Sequence, residues 1–339
     1  MSFSTNVSFS SKNLSLSLAQ YFAQHEILTD LPLTFVINDN HLTMNNTDII
    51  PTSAQELVVF SDLTITNLLA LQSNCHLKIH ALQAINTRNK LTSYRFKVTC
   101  LDLTKSRQAL TDFALANNIE AALIDSAPKL GAPGLLVMDM DSTTIEIECI
   151  DEIAKLAGVG EQVAAVTELA MQGELDFAQS LHQRVATLAG SSEQILADVA
   201  KNIPLMQGLE TLIEELKKHN WRIAIASGGF TYFADHLKEM LSLDATFANK
   251  LEIIDGKLTG KVLGSVVDAQ IKADSLKLLA NQYQIPNSQT VAMGDGANDL
   301  VMMAAASFGV AFHAKPIVLA QADSSIIELG LDCLLHWLA

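Results

Sequence analysis

Three short apolar runs constrain this chain more than any other feature: Gly134-Leu-Leu-Val-Met138, Trp221-Arg-Ile-Ala-Ile-Ala226 and Thr290-Val-Ala-Met293. Each has the length of a strand and gives way at its end to small or acidic residues. Nearly continuous apolar runs suit parallel strands buried on both faces, whereas half-exposed strands alternate. Helical periodicity follows the second run (Thr231–Leu241) and precedes the third (Ile271–Tyr283), with a hairpin signal at Asp255-Gly256. Strands alternating with helices predict an α/β fold with a Rossmann-like, doubly wound parallel sheet. Residues 148–205 show only helical periodicity, in Ile150–Leu156, Glu161–Met171, Asp176–Leu188 and Glu193–Asn202. That stretch is too long for one crossover and reads as a helical cap inserted over the sheet's edge. The core is then 135–147 with 206–339.

Residues 1–125 have a different texture. Short strand-like runs (Leu33–Ile37, Glu56–Phe60, Ser93–Thr99) mix with helix-like ones (Ile65–Leu71, Ser106–Asn117), which predicts a small α+β domain with a loose, polar start. His76 and His80 are four apart and fit one helical face, as a surface pair or as metal ligands. The Gly/Pro segment Lys129-Leu-Gly-Ala-Pro-Gly134 lies within an expected linker, 126–134. Charge divides at the same place. Residues 1–130 carry 9 Lys+Arg against 10 Asp+Glu, and the remainder 13 against 27, so nearly all of the net −15 lies beyond residue 130. An acidic chain of this kind has no basic footprint for nucleic acid and no attraction for anionic lipid. Its longest dense apolar stretch, Val301–Phe312, is 12 residues broken by Ser307 and Gly309, short of the roughly 20 a bilayer requires. The N-terminus lacks a signal-peptide layout, and the four cysteines form no CxxC pair, so a cytoplasmic protein without a disulfide framework or zinc site is expected.

In open α/β sheets ligands bind at the carboxyl ends of the strands, and here three such ends carry chemistry. After the first strand comes Asp139-Met-Asp-Ser-Thr-Thr144. Asp139 and Asp141 read either as a pair converging on one point or as a helix cap with a surface acid. As a pair, one carboxylate is a competent nucleophile toward phosphorus and the other an acid/base. Two acids so close repel unless a hard cation such as Mg²⁺ lies between them. Ser227-Gly-Gly229 follows the second strand and reads as an anion-binding loop or as an ordinary turn. The third end, Gly294-Asp-Gly-Ala-Asn-Asp299, is the most specific, with Asp295 and Asp299 on a tight glycine loop. Lys272, on the helix before that strand, is either a partner for phosphate oxygens or a solvated charge.

Taken in order, DMDSTT, SGG, Lys272 and GDGAND resemble the haloacid dehalogenase-like phosphatases. Asp139-Met-Asp-Ser-Thr-Thr-Ile-Glu-Ile-Glu-Cys-Ile-Asp-Glu-Ile-Ala154, Gly173-Glu-Leu-Asp-Phe177 and Val291-Ala-Met-Gly-Asp-Gly-Ala-Asn-Asp-Leu300 are similar to the phosphoserine phosphatase family within them. The resemblance covers about residues 133–325. It implies an enzyme that uses Mg²⁺ and converts O-phosphoserine to serine and phosphate, the last step of serine biosynthesis. It also implies that residues 1–125 are an ACT-like extension, and it allows a homodimer. Position by position, it implies Asp139 as nucleophile and Asp141 as general acid/base. Asp295 joins Asp139 and the Asp141 carbonyl around the metal. Ser227, Gly228 and Lys272 hold the phosphoryl group, with Asn298 and Asp299 in support, Asp299 as partner of Lys272. Glu148 receives the substrate ammonium, Arg184 its carboxylate, and Met171 and Phe177 close over it. The one departure, Thr144 where an apolar residue is common, is expected to be silent. Phosphatases for homoserine phosphate or sugar phosphates are the rival enzymes, and Glu148 and Arg184 argue against sugars. An inactive amino-acid sensor or a non-catalytic Mg²⁺ binder sits poorly with the intact set Asp139, Asp141, Lys272 and Asp295.

Overall fold

The three apolar runs become strands of one sheet in the computed structural model, which describes residues 4–8, 13–24, 33–38, 41–45, 51 and 54–339. Two compact units form: Pro128–Lys315, and Met1–Ala127 together with Pro316–Ala339.

The described part of the first unit runs β1 (Ser4–Ser8), α1 (Leu18–Gln24), β2 (Leu33–Asn38), β3 (His41–Asn45), β4 (Gln55–Phe60), α2 (Ile65–Asn74), β5 (Leu77–Arg88), β6 (Leu91–Cys100), α3 (Leu103–Asn117) and β7 (Ala121–Ile124). Its strands make an antiparallel sheet in the order β1-β3-β2-β5-β6-β4-β7. From β4 to β7 the element order is βαββαβ, a ferredoxin-like arrangement. This is the α+β fold expected, with four strands (β1, β3, β5 and β7) beyond the three runs the sequence suggests. β5 mixes Lys, His, Gln and Asn into its length, so its pattern is weak, yet it pairs with β6 from Leu77 to Arg88. The helical face expected for His76 and His80 is therefore absent. His76 sits in the turn before β5 at φ 55°, and His80 is a strand residue whose Nε2 lies 2.8 Å from Thr99 Oγ1. Of the polar start, residues 1–3 lie outside the described residues.

The second unit runs β8 (Leu135–Met138), α4 (Cys149–Ala157), α5 (Gly160–Met171), α6 (Phe177–Ala186), α7 (Gln194–Ala200), α8 (Leu209–Lys218), β9 (Arg222–Phe230), α9 (Thr231–Leu241), β10 (Ala245–Ile254), β11 (Lys257–Leu263), α10 (Ala269–Gln282), β12 (Thr290–Gly294), α11 (Leu300–Ala305) and β13 (Phe308–Phe312). Within it the strand order is β11-β10-β9-β8-β12-β13, parallel from β10 to β13 with β11 antiparallel at the edge. Every residue of β8, β12 and β13 is buried, which is why these strands read as unbroken apolar runs. The β10–β11 turn holds Asp255 at φ 50° and Gly256 at φ 73°, two left-handed residues in succession as a two-residue hairpin requires. In the cap, α6 opens on a reciprocal box: the Asp176 carboxylate accepts from Gln179 N, and the Gln179 side chain accepts from Asp176 N.

Two boundaries differ from the sequence reading. The segment expected as a linker belongs to the second unit from Pro128 onward. Gln289 holds it, accepting from Lys129 N at 2.7 Å and donating to the carbonyls of Lys129, Ala132 and Pro133, while the indole of Trp221 donates to Leu130 O. The chain's end, with α12 (Pro316–Leu319), β14 (Ser324–Ile326) and α13 (Leu334–Trp337), groups with the first unit. Buried Arg95 explains this, donating to the carbonyls of His336, Trp337 and Leu338 at 2.8–3.1 Å. Glu120 accepts from three successive backbone N–H groups, Ile327, Glu328 and Leu329.

Candidate active site

Sheet register brings the acidic strand ends together. β8 pairs with β12 so that Met138 lies beside Met293, and Asp139 N donates to Met293 O at 2.9 Å. Asp139 and Gly294-Asp295 therefore leave the sheet side by side. After Asp139 the chain folds tightly back: Thr143, Thr144 and Ile145 all donate to Met140 O, Ser142 takes φ 56°, and the Thr144 hydroxyl donates to Asp139 O at 2.5 Å. Lys272 comes from the first turns of α10, whose N-cap Asp268 accepts from Ile271 N. Only 1% of Lys272 is exposed, and its ammonium pairs with Asp139 Oδ2 at 2.9 Å and Asp299 Oδ1 at 2.8 Å. β9 continues past the expected Ala226 through Ser227-Gly-Gly to Phe230. There its pairing with β10 shifts register and resumes at Phe230 opposite Asn249. Ser227 is buried, and its Oγ accepts from Gly229 N at 2.9 Å.

Above these groups lies a cavity of about 230 Å³, lined by Asp139, Asp141, Ser227, Gly228, Asp295 and Asn298 from the core and by Glu148, Phe177 and Arg184 from the cap side. Phe177 packs closely on the anion loop, since a Cβ at Gly228 would fall 2.5 Å from its ring. Lys272 and Asp299 lie beneath the lining. Met171 does not join it, being 71% exposed at the end of α5.

Crowded carboxylates dominate the electrostatics. Burial, then the charges of Glu148 and Asp139, push Asp141 well above the ordinary carboxylate range, and its Oδ1 is buried without a hydrogen-bond partner. A carboxyl whose pKa is raised in this way suits a general acid. Desolvation in the cavity, ahead of the charges of Asp295 and Asp139, raises Glu148, although Ser142 Oγ donates to it at 2.8 Å. Asp295 is raised by burial and then by Asp139. Lys272 behaves oppositely: burial disfavours its charge, but Asp139 and Asp299 outweigh that and hold it protonated. Arg184 is drawn down by burial, and its buried Nε has no hydrogen-bond partner.

The donor set fits a hard cation. Asp139, Asp295 and Asp299 each offer a carboxylate oxygen, all within 4.8 Å of one another. An all-oxygen cluster of like charges suits a divalent ion of the Mg²⁺ or Ca²⁺ kind. Lys272 bridges Asp139 and Asp299 within this cluster, and the second Asp299 oxygen accepts from Gly296 N at 3.0 Å.

Residues 134–307 match the haloacid dehalogenase-like hydrolase family. A phosphoserine phosphatase of Vibrio cholerae is 57% identical over 239 residues, covering 70% of this chain and 72% of that protein. The chain belongs to the phosphoserine phosphatase family of haloacid dehalogenase-like hydrolases. Among solved structures, an unliganded probable phosphoserine phosphatase from V. cholerae superposes with a TM-score of 0.71 at 47% identity, covering 84% of this chain and 86% of that one. A phosphoserine phosphatase solved as a phospho-aspartyl intermediate analogue matches at 41% identity and a TM-score of 0.58, over 61% of this chain and all of that one.

Beside this phosphatase site stand residues to which sequence reasoning gave no role in it. Asn249 is 1% exposed, and its amide donates to Gly228 O and accepts from Val267 N, both at 2.8 Å, tying the anion loop to the segment before α10. Thr144 was expected to be silent, yet its buried hydroxyl satisfies the Asp139 carbonyl. Thr143 Oγ1 donates to Asp295 Oδ1 at 3.3 Å. Lys315 also lines the cavity.

Proposed function

We propose that this chain hydrolyses O-phospho-L-serine to L-serine and phosphate through an aspartyl-phosphate on Asp139, the closing reaction of serine biosynthesis. The observation that carries this reading is one cavity with a lysine-paired carboxylate at its floor and a buried, unpartnered Arg184 Nε at its cap. Phosphoserine has a phosphate for the floor, a carboxylate for the planar fork of Arg184 and an ammonium for Glu148.

Asp139, paired with Lys272 at 2.9 Å, is the nucleophile, and Ser227 with the Gly228 backbone receives the phosphoryl oxygens. Asp141, protonated at rest, gives its proton to the departing serine oxygen. The same carboxylate then takes a proton from the water that cleaves the acyl phosphate. Mg²⁺ is the resident metal in this reading, held by Asp139, Asp295 and the Asp141 carbonyl, and when bound it supplies charge neutralisation for the transferring phosphoryl group. Phe177 excludes water from the cavity, and Met171 approaches the substrate when the cap closes. The βαββαβ order of residues 55–124 supports an ACT-like reading of the first unit. Among the described residues no helix is long and apolar enough to cross a membrane; a cytoplasmic location and a homodimer complete this reading.

The test is phosphate release from O-phosphoserine against homoserine phosphate, phosphoethanolamine and a sugar phosphate, with and without Mg²⁺. Phosphoserine is expected to lead the panel and to require the metal. Arg184→Ala should erase most of the preference over phosphoethanolamine, which lacks the carboxylate. An unchanged preference would remove Arg184 from that role, and a sugar phosphate leading the panel would overturn the substrate reading.

A further inference from the structure

One cation on the cavity wall has no part in the mechanism above. Lys315 lines the same cavity as Asp139, Asp295 and Arg184, and its backbone N–H donates to Asp295 O at 3.4 Å. That bond fixes the lysine's Cα beside the loop that carries Asp295, while the side chain stays exposed. No salt bridge among the described residues engages its ammonium. Lys272, by contrast, is buried below the lining and committed to Asp139 and Asp299.

The surroundings give such a charge a task. Residues 128–315 hold 14 Lys+Arg against 24 Asp+Glu, and four carboxylates line the cavity itself. A phosphomonoester dianion approaching this unit meets a repulsive field that salt screens only beyond about 8–10 Å. The cations that counter it inside the lining are Arg184, on the cap, and Lys315, beside the metal loop. A lysine suits this second position: its ammonium is a compact, mobile point charge that can meet an incoming phosphate and let the product leave, whereas a planar guanidinium locks one geometry.

We propose that Lys315 captures the phosphate group of the substrate, drawing the dianion into the cavity before transfer and so setting KM more than kcat. This rests on the phosphatase reading given above and adds a binding residue to it. The test compares wild type with Lys315→Gln and Lys315→Arg on O-phosphoserine at saturating Mg²⁺, at ionic strengths from about 20 to 500 mM. Lys315→Gln should raise KM about 5–10-fold at the lowest salt with kcat within about twofold, and the deficit should shrink as salt rises. Inhibition by orthophosphate should weaken in parallel, and Lys315→Arg should recover most of the loss. An unchanged KM would overturn the proposal. So would a kcat loss of equal size at every salt concentration, or a shift in the Mg²⁺ needed for half-activity, because each would mark a structural effect through the Asp295 loop. Wild-type turnover in the same assay separates the two ideas: inactive wild type defeats the phosphatase reading, and active wild type with an indifferent Lys315→Gln defeats only this one.

Discussion

Gly294 shows how little room the site leaves at single positions. A Cβ there would lie 2.3 Å from Asp299 Cγ and 2.7 Å from its Cβ. Asp299 has nowhere to move, because Lys272 and Gly296 N hold its two oxygens. Gly294→Ala should therefore push Asp299 off Lys272 and disturb the lysine's hold on Asp139. The expected loss is at least about 100-fold in kcat, corresponding to about 3 kcal/mol of transition-state stabilisation. Circular dichroism should show the fold retained. Near-normal kcat would mean that Lys272 positions Asp139 without help from Asp299. Residue by residue, the acidic strand ends were legible because Asp139, Asp141, Asp295 and Asp299 fall on two contiguous motifs. The supports were not. Asn249, Thr143 and Thr144 act through bonds to groups distant in sequence or through a backbone turn, and neither spacing nor composition reports such bonds.

At the scale of elements, the parallel strands of the second unit and the cap helices were readable because burial on both faces and amphipathic periodicity leave strong patterns. β5 was missed for the opposite reason, its polar residues blurring a strand that pairing with β6 stabilises. The grouping of the C-terminal segment with the first unit was not legible, because it depends on buried side chains of another segment, Arg95 and Glu120, that capture its backbone. One consequence depends on pH. His336, in α13, is fully buried, with Nδ1 2.8 Å from Ser93 Oγ. Burial first, then the charges of Arg88 and Arg95, lower its pKa from 6.5 to about 4. The folded value lies below the unfolded one, so as pH falls from 7 the unfolded chain takes up the proton first and stability is lost between about 6.5 and 4. Urea titrations of wild type and His336→Asn at pH 7 and pH 5 should differ accordingly, wild type losing about 2 kcal/mol more than the variant over that interval. Equal losses would show that His336 titrates normally in the folded protein.

Considered as a whole molecule, the chain joins an antiparallel α+β unit to an acidic α/β unit that holds the reaction site. The fold classes of both were legible, and so was the concentration of negative charge beyond residue 130. That charge has a chemical meaning: under the proposed function an anionic substrate binds against the prevailing field, and a divalent cation, Lys272 and Arg184 are the groups that would offset it. What sequence did not reveal was the grouping of the chain's last 24 residues with the first unit, where long-range bonds from Arg95 and Glu120 hold them. The central claim for the molecule is that the phosphoryl group passes through Asp139. Radiolabelled phosphoserine mixed with enzyme and Mg²⁺, quenched in acid during turnover and digested, tests it directly. Label is predicted on the peptide containing Asp139, and Asp139→Asn should show neither label nor phosphate release while remaining folded. Turnover without protein-bound phosphate, or sustained turnover by Asp139→Asn, would contradict it.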